Sequence, residues 1–445
     1  MRPPVGWARA QLSELAPEVK GSLQPQRGRR YELWSVPAFA DGSPELIDGS
    51  EVASAKRPVR PDDVLLCKIN PRINRVWRVT PDREFGTQIA SPEWIVLRPN
   101  DKHLLEPDYL RHYLSSPVFR DWIVGEVSSV TGSHTRAKPA QVLRQEIPYP
   151  SRPEQRRIVA ILEEHLSDLD AAAAGLARVE RRSATLIDSV LSNGFSGVLF
   201  EDDLSEGSGA ELVLRITGRE PSADGHAGYP KWATAKLGDL FEVGVGATPS
   251  RGSRELWSGD LPWVSSGEVA FNRIKATKET IHRAAAGSPT SRIHPAGTVL
   301  LAMIGEGKTR GQAAILDIEA AHNQNCASIR VGRTPILPEY VYYFLKRRYV
   351  ETRSAASGGN QPALNKARVQ AIEMPVAPLA TQRRLVTAFD SVTSASGRLV
   401  AATDRSRRKG ESVRRALLAA AFSGRLTGRG SDASFIEELF EEEYA

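Results

Sequence analysis

The sequence predicts an α/β protein: two α/β bodies joined by two long antiparallel helices that pair as a coiled coil, the whole forming an internal pseudo-twofold repeat. Three observations predict it. The stretch QRRIVAILEEHLSDLDAAAAGLARVERRSATLIDSVLSNGFSGVL (155–199) recurs as QRRLVTAFDSVTSASGRLVAATDRSRRKGESVRRALLAAAFSGRL (382–426). Adding 227 maps one copy onto the other without a gap, and 13 of the 45 positions are identical, concentrated in QRR and FSG. Such self-similarity governs the architecture before any local reading does. The first copy is also periodic, with Ile158, Leu162, His165, Leu169, Ala172, Leu176, Val179, Ser183, Leu186 and Val190 stepping alternately by four and three, the spacing of a seam against a partner helix. Finally, strand-like runs (VLLCKI, NRVWRVT, EWIVLRP; TVLLAMI, QAAIL) fall outside the two helical stretches, in two separate blocks.

In chain order, residues 1–150 form the first α/β body, with a helical stretch over 107–124 and an extended end at IPYP. Residues 151–199 are the first long helix. Ser151 and Glu154 have capping-box spacing, and Gly194 stands where a left-handed C-terminal residue is wanted. At 1.5 Å per residue, Gln155 to Asn193 extends about 58 Å, longer than a small domain. Residues 200–229 are a polar, acidic linker with a short helix near Ala210–Ile216. The second body, 230–377, opens with WATAKLGDL, which matches WARAQLSEL at Trp7–Leu15, and its PEYVYYFLKRRY answers PDYLRHYL. Between these shared ends the bodies diverge, and Gly246–Val269 has no counterpart by sequence in residues 21–45. Residues 378–426 are the second long helix. Its seam (Leu385, Phe389, Val392, Ser396, Leu399, Thr403, Ser406, Gly410, Val413, Leu417) is apolar at the ends and small or polar in the middle. Residues 427–445 are an acidic tail answering the linker.

A chain of 445 residues with 41% hydrophobic content has room for several cores. The N-terminal MRPPVGWARAQL has no apolar signal core and no apolar run is long enough to cross a bilayer, so the expected location is cytoplasmic. Cys67 and Cys326 are the only cysteines, which leaves neither a disulfide framework nor a cysteine metal site. The net charge of +6 is uneven: +3 over 1–150, −2 over 154–199, −5 over 200–229, +7 over 230–377, +7 over 378–426 and −5 over 427–445. Basic bodies alternating with acidic connectors suit a polyanionic partner, nucleic acid above all.

No catalytic constellation is visible: there is no HExxH spacing, no GxSxG and no metal set. AMIGEGKT (302–309) fits a loosened phosphate-loop pattern around Lys308 and is the basis of an alternative, a nucleotide hydrolase. Yet such a loop must lead into a helix whose N-terminal amides hold the phosphates, and here the strand-like QAAIL follows, so a hairpin turn is expected. A coiled-coil adaptor with no DNA role is the other alternative. GVGATP places Pro249 where a dinucleotide fold needs a third glycine, and reads as a loop. What remains are polar and basic loops whose residue types pair with base edges and phosphates. The candidates are Arg27, Arg29, Arg30, Arg72, Arg75, Ser133, His134, Arg136 and Lys138 in the first body. In the second they are Arg251, Arg254, Lys308, Arg310, Asn360, Gln361 and Lys366.

Several segments in order resemble the specificity subunit of type I restriction-modification systems: GATPSR, LPWVSSGEV, GTVLLAMIGEGKTRGQAAI, HNQN, MPVAPLATQRRLV and AFSGRLT, with IPYPSRPEQRRIV and FSGVL repeating the closing segments after the first body. Thr381 departs from the acidic residue usual before QRR. The resemblance implies two target-recognition domains reading a bipartite site on double-stranded DNA, and two conserved helices that set the spacer and dock two modification (methyltransferase) subunits. It implies no catalysis by this chain and no cofactor held by it: the modification subunits bind S-adenosylmethionine, and the restriction subunit, an ATP-dependent endonuclease, uses ATP. Because the frame repeats while the loop-bearing middles diverge, the expected DNA site is asymmetric.

Overall fold

The computed structural model describes residues 6–81, 87–100, 105–127, 136–221, 231–286, 293–305, 308–354 and 364–427. The chain divides into two compact units, Met1–Ala177 with Thr403–Ala445, and Arg178–Ala402. The two long helices, Arg152–Phe195 and Leu379–Phe422, each begin in one unit and end in the other.

In the first unit, the strand Ala8–Gln11 pairs antiparallel with Glu146–Tyr149, tying the chain's start to the approach of the first long helix. A four-stranded sheet runs Glu45–Asp48, Arg30–Trp34, Gln88–Ala90, Arg57–Val59, and a three-stranded one Val76–Arg78, Val64–Cys67, Trp94–Leu97. The helical stretch expected over 107–124 is two helices, Pro107–Ser115 and Pro117–Val127, because a proline disfavours helical backbone in the residue before it and Ser116 is extended. Their apolar faces share a core with Ile158, Leu162 and Leu166 of the first long helix and Leu417, Leu418, Ala421 and Phe422 of the second.

The second unit repeats this plan. Thr234–Lys236 pairs with Glu373–Pro375. Its five-stranded sheet runs Glu242–Val245, Cys326–Arg330, Val299–Ala302, Ala313–Leu316, Asn272–Ile274, and its three-stranded sheet Glu279–Ile281, Leu261–Val264, Ala321–His322. Pairing partners identify the equivalences. Val64–Cys67 between Val76–Arg78 and Trp94–Leu97 matches Val299–Ala302 between Ala313–Leu316 and Cys326–Arg330. Arg30–Trp34, antiparallel to one neighbour and parallel to the other, matches Leu261–Val264. The segment without a sequence counterpart therefore does have a structural one.

The ends of the repeat are identical because they do the same work twice. Gln155 and Gln382 are fully buried. Each side-chain amide donates to the carbonyl five residues upstream, Pro150 O at 3.0 Å and Ala377 O at 2.8 Å. Each side-chain oxygen accepts from the N-cap amide of a helix: Glu106 before Pro107–Ser115 at 2.8 Å, and Leu337 before Pro338–Arg347 at 3.3 Å. Those helices carry Tyr109 and Tyr340, whose hydroxyls donate to Pro148 O and Pro375 O, positions also 227 apart. At the other end, Phe195 packs on Tyr340, Phe344 and Phe389, and Phe422 on Tyr109 and Tyr113, with ring centroids 5.1–5.7 Å apart. The glycine of FSG follows: Gly197 and Gly424 take positive φ (76° and 72°), and Val198 N and Arg425 N bond back to Asn193 O and Ala420 O.

Gly194 is thus not the left-handed residue expected of it; it lies inside the helix. A Cβ there would stand 2.4 Å from the ring of Phe389, so glycine admits the ring. The 227-residue shift turns this pair into Ala421 and Leu162, both buried in the first unit's core.

Within each unit the long helices run antiparallel. In the second unit Ser183 donates to Ser396 at 2.7 Å while Gly194 faces Phe389. In the first, Asp170 pairs with Arg414, and Leu162 shares a core with Ala421. The strict heptad holds only in part: Val179 and Leu186 are 39% and 55% exposed, while the seam's Val190 and, off the seam, Ile187 pack against the core. Thr381, the departure before QRR, is buried and its hydroxyl accepts from Asp203 N at 2.9 Å, fastening the acidic linker to the head of the second helix.

The Gly194–Phe389 pair generates a prediction. Phe389→Leu alone leaves a void and destabilises by about 1–3 kcal/mol. Adding Gly194→Ala fills it and gains helix propensity, so the same alanine should stabilise the leucine variant and fail to stabilise the parent. Denaturant unfolding of the four proteins should give a coupling of about 1 kcal/mol or more; simple additivity contradicts the packing account.

Candidate nucleic-acid interface

Each unit presents the same local scaffold: a hairpin and, beside its base, a tight turn linking the two sheets. In the first unit the hairpin loop spans Lys68–Arg75 and the turn is Ser91–Glu93. In the second they are Met303–Gln312 and Asn323–Asn325. The match holds bond by bond. Ser91 N donates to Trp34 O at 3.1 Å, and Asn323 N to Val264 O at 3.0 Å. Lys68 N donates to Glu93 O at 2.9 Å, and Met303 N to Asn325 O at 2.8 Å. The side-chain oxygens of Ser91 and Asn323 each accept from the amide two residues on, at 3.3 and 3.2 Å. Such side-chain-capped turns hold their apex residue in a defined direction.

The residues mounted on this scaffold differ. The first unit's turn has Pro92 at its apex and the second has Gln324, which is exposed and whose Oε1 accepts from the Thr248 hydroxyl at 2.5 Å. Thr248 lies in the loop after Glu242–Val245. Gly246 of that loop passes so close to His322 O that a Cβ would be 1.9 Å away, and Ala247 N donates to the same oxygen at 3.0 Å. His322 in turn packs against His294, with ring centroids 4.8 Å apart and planes tilted by 36°. Complete burial pushes the His322 imidazole down to about 4, so it is neutral at pH 7, with Nδ1 2.9 Å from Asn323 O.

The hairpins differ as well, the second being two residues longer. In the first, Asn70 and Asn74 take left-handed φ (48° and 50°), and Asn74 Nδ2 donates to Leu114 O at 2.8 Å, so the tip carrying exposed Arg72 and Ile73 is anchored. Arg75 lies at its base, half-buried. Arg136 bridges to Ile69 and pairs with Glu93 at 3.2 Å, while Ala137 N donates to Lys68 O and leads to exposed Lys138. Arg72, Arg75, Arg136 and Lys138 are thus gathered about one hairpin. Arg27, Arg29 and Arg30 are not: they sit where Arg30–Trp34 begins, about 13 Å from the turn at its other end, at 3.3 Å per residue. Arg29 donates to Thr87 Oγ1 there at 3.0 Å.

In the second unit Lys308 is exposed and its carbonyl accepts from Tyr349 OH at 2.6 Å; Arg310 follows, half-buried. The segment continues into Ala313–Leu316 of the antiparallel pair, with no helix after Thr309. It is a hairpin, and the nucleotide-hydrolase alternative loses its phosphate site. Arg251 forks onto Glu279 and its Cζ lies over Trp257, 3.7 Å from the ring centroid, and the fork holds the Glu279 carboxyl below its usual range. Exposed Arg254 opens the neighbouring turn Arg254–Trp257. Lys366 is exposed on Lys366–Gln370, a separate short helix. Ser133, His134, Asn360 and Gln361 lie outside the described residues. Sequence reasoning passed over Gln324 and Thr248; the signal available was HNQN, a polar turn between two strand-like runs.

The described residues contain no group of three or more potential metal ligands and no helix long and apolar enough to cross a membrane. Against known proteins, residues 229–400 match the type I restriction modification DNA specificity domain. The specificity subunit of the type I restriction enzyme MjaIX of Methanocaldococcus jannaschii is 27% identical over 161 residues, 35% of this chain and 36% of that protein's length. A solved structure described under complex assembly and conformational transition of the type I restriction-modification system aligns over 96% of this chain and all of that one, with TM-score 0.70 and 21% identity. The HsdS subunit from Thermoanaerobacter tengcongensis aligns over 96% of this chain and 99% of its own, with TM-score 0.50 and 20% identity. These structures share the fold of two α/β bodies joined by long helices, and the family match bears out the resemblance carried by the sequence motifs. Over residues 229–400 the chain is thus similar to the DNA specificity domain of type I restriction-modification systems.

Proposed function

We propose that this chain is the non-catalytic DNA-reading subunit of a cytoplasmic type I restriction-modification complex. Each unit reads one half of an asymmetric bipartite site on double-stranded DNA, and the long helices set the spacer and dock the modification (methyltransferase) subunits. The restriction subunits join that assembly. The observation that carries this reading is the duplicated hairpin-and-turn scaffold bearing different residues: Pro92 and a Lys68–Arg75 hairpin in one unit, Gln324 and a longer hairpin in the other. Identical readers on a pseudo-twofold frame would favour a palindrome, as symmetric dimers do. Readers with unlike apices favour two different half-sites. Exposed cations at the hairpins supply phosphate attraction, which fixes register, and the polar apices supply sequence.

Replacing Trp232–Met374 with the equivalent segment of a relative should change one half of the methylated motif and leave the other half and the spacer intact. Sequencing of modified sites in cells carrying the hybrid system reads the outcome; a swap that alters both halves, or a palindromic native motif, contradicts the reading.

Removing a matched heptad from both long helices shortens each by about 10.5 Å, roughly three base pairs at 3.4 Å each. The methylated sites of a folded, shortened complex should show a spacer reduced to match, and an unchanged spacer would remove the helices from the role of ruler.

A further inference from the structure

We infer that Gln324 is a base-reading residue of the second unit, its amide set by Thr248 to grip an adenine edge in the major groove. The inference rests on the DNA-reading function proposed above and narrows it to one side chain.

Three features single out this residue. Gln324 is exposed at the apex of a turn whose flanking residues are bonded: Asn323 is 7% exposed and its Oδ1 caps Asn325 N, while Cys326 N donates to Asn323 O at 3.3 Å. The backbone beneath the side chain is thereby locked to both sheets. Second, the Thr248 hydroxyl donates to Gln324 Oε1, which fixes the plane of the amide and uses one of the two lone pairs of that oxygen. Among the described residues nothing else engages the amide, which leaves the other lone pair and both Nε2 hydrogens, the set an adenine requires: Oε1 accepts from N6 and Nε2 donates to N7. Third, stability does not account for the pair. An exposed amide–hydroxyl bond adds little to folding, and the first unit builds the same turn, with the same backbone bonds, around Pro92. Proline offers no donor, so the apex is free to vary and glutamine there is an addition to the scaffold.

The neighbourhood is suited to DNA. Met303 joins the turn to the hairpin that carries Lys308, and the loop of Thr248 runs directly on to Arg251. Arg251 is braced against Glu279 and Trp257, which orders the loop on the Thr248 side. Cations flank an uncharged, oriented amide, the arrangement in which phosphate contacts place a reader and the reader supplies the sequence.

The test uses the complete system in cells, with modified sites sequenced for the parent, Gln324→Ala, Gln324→Glu, Thr248→Val and Thr248→Ser. Gln324→Ala should relax one adenine-containing position, about 10- to 100-fold in discrimination, within the half-site that the Trp232–Met374 exchange dictates. Gln324→Glu should shift that position toward cytosine, whose N4 amino group a carboxylate accepts from. Thr248→Val should relax the same position less, and Thr248→Ser should restore it. An unchanged motif in both Gln324 variants overturns the inference, as does a uniform loss at every site, which marks a phosphate contact. A parent system that modifies no discrete bipartite motif overturns the proposed function itself, and the inference with it.

Discussion

The buried glutamine at the head of each long helix is the fastening on which the architecture depends. Gln155 and Gln382 satisfy two backbone groups apiece, one on the segment entering the long helix and one at the head of the tyrosine-bearing helix packed beside it. A buried amide left without such partners costs about 1–3 kcal/mol per group, so no apolar residue can take this place without orphaning both. At the far end of each helix the fastening is apolar: Phe195 and Phe422 enter aromatic clusters built by the very helices the glutamines hold. Each helix is therefore pinned by polarity in one unit and by aromatic packing in the other. Only the two ends need identical residues, which is why identity collects in QRR and FSG while the middles drift to small and polar side chains.

The same economy governs the bodies. Strand pairing and the turn bonds at Ser91 and Asn323 are backbone-centred and tolerate many sequences, so they persist after side-chain similarity has gone. Even the close-packed Gly194–Phe389 contact has exchanged bulk, with alanine and leucine at the related positions of the other unit. Volume across the pair is kept while its distribution is not. Divergence is free to concentrate at the apices and hairpin tips, where no other part of the fold depends on the side chain.

Legibility in the sequence follows the same division. The helices, the duplication and the hairpin at Ala302–Thr309 were readable because periodicity, repetition and a strand after Thr309 are properties of the chain itself. The match of Leu261–Val264 to Arg30–Trp34 was not readable, since it is held by backbone bonds that leave no residue signature. Gly194 was misread because a glycine near a helix end has two uses, turning the chain or admitting a neighbour, and only the ring of Phe389 tells them apart. Val179 and Leu186 were misplaced because a strict 3.5-residue seam was extended along the whole helix, and these two positions are exposed. Among the candidate cations, loop composition identified the cluster at the first hairpin but could not separate it from Arg27–Arg30, a strand's length away. It also passed over Gln324, an uncharged residue whose interest arises from what orients it.

Charge counts alone also mislead about which cations are free to act. Arg251 and Arg136 each face a carboxylate, Glu279 and Glu93. Exposed pairs of this kind contribute little to stability, so exchanging a carboxylate for a phosphate costs little and such pairs do not disqualify an arginine from binding. What they do is hold long, flexible side chains in place beforehand. Arg251, bonded to Glu279 and held over Trp257, is already confined in a way that a bare surface arginine is only on contact. Glu93 and Glu279 therefore lower the net positive charge of the surface while raising the order of the cations they hold, a combination that favours register and discrimination over indiscriminate attraction to a phosphate backbone.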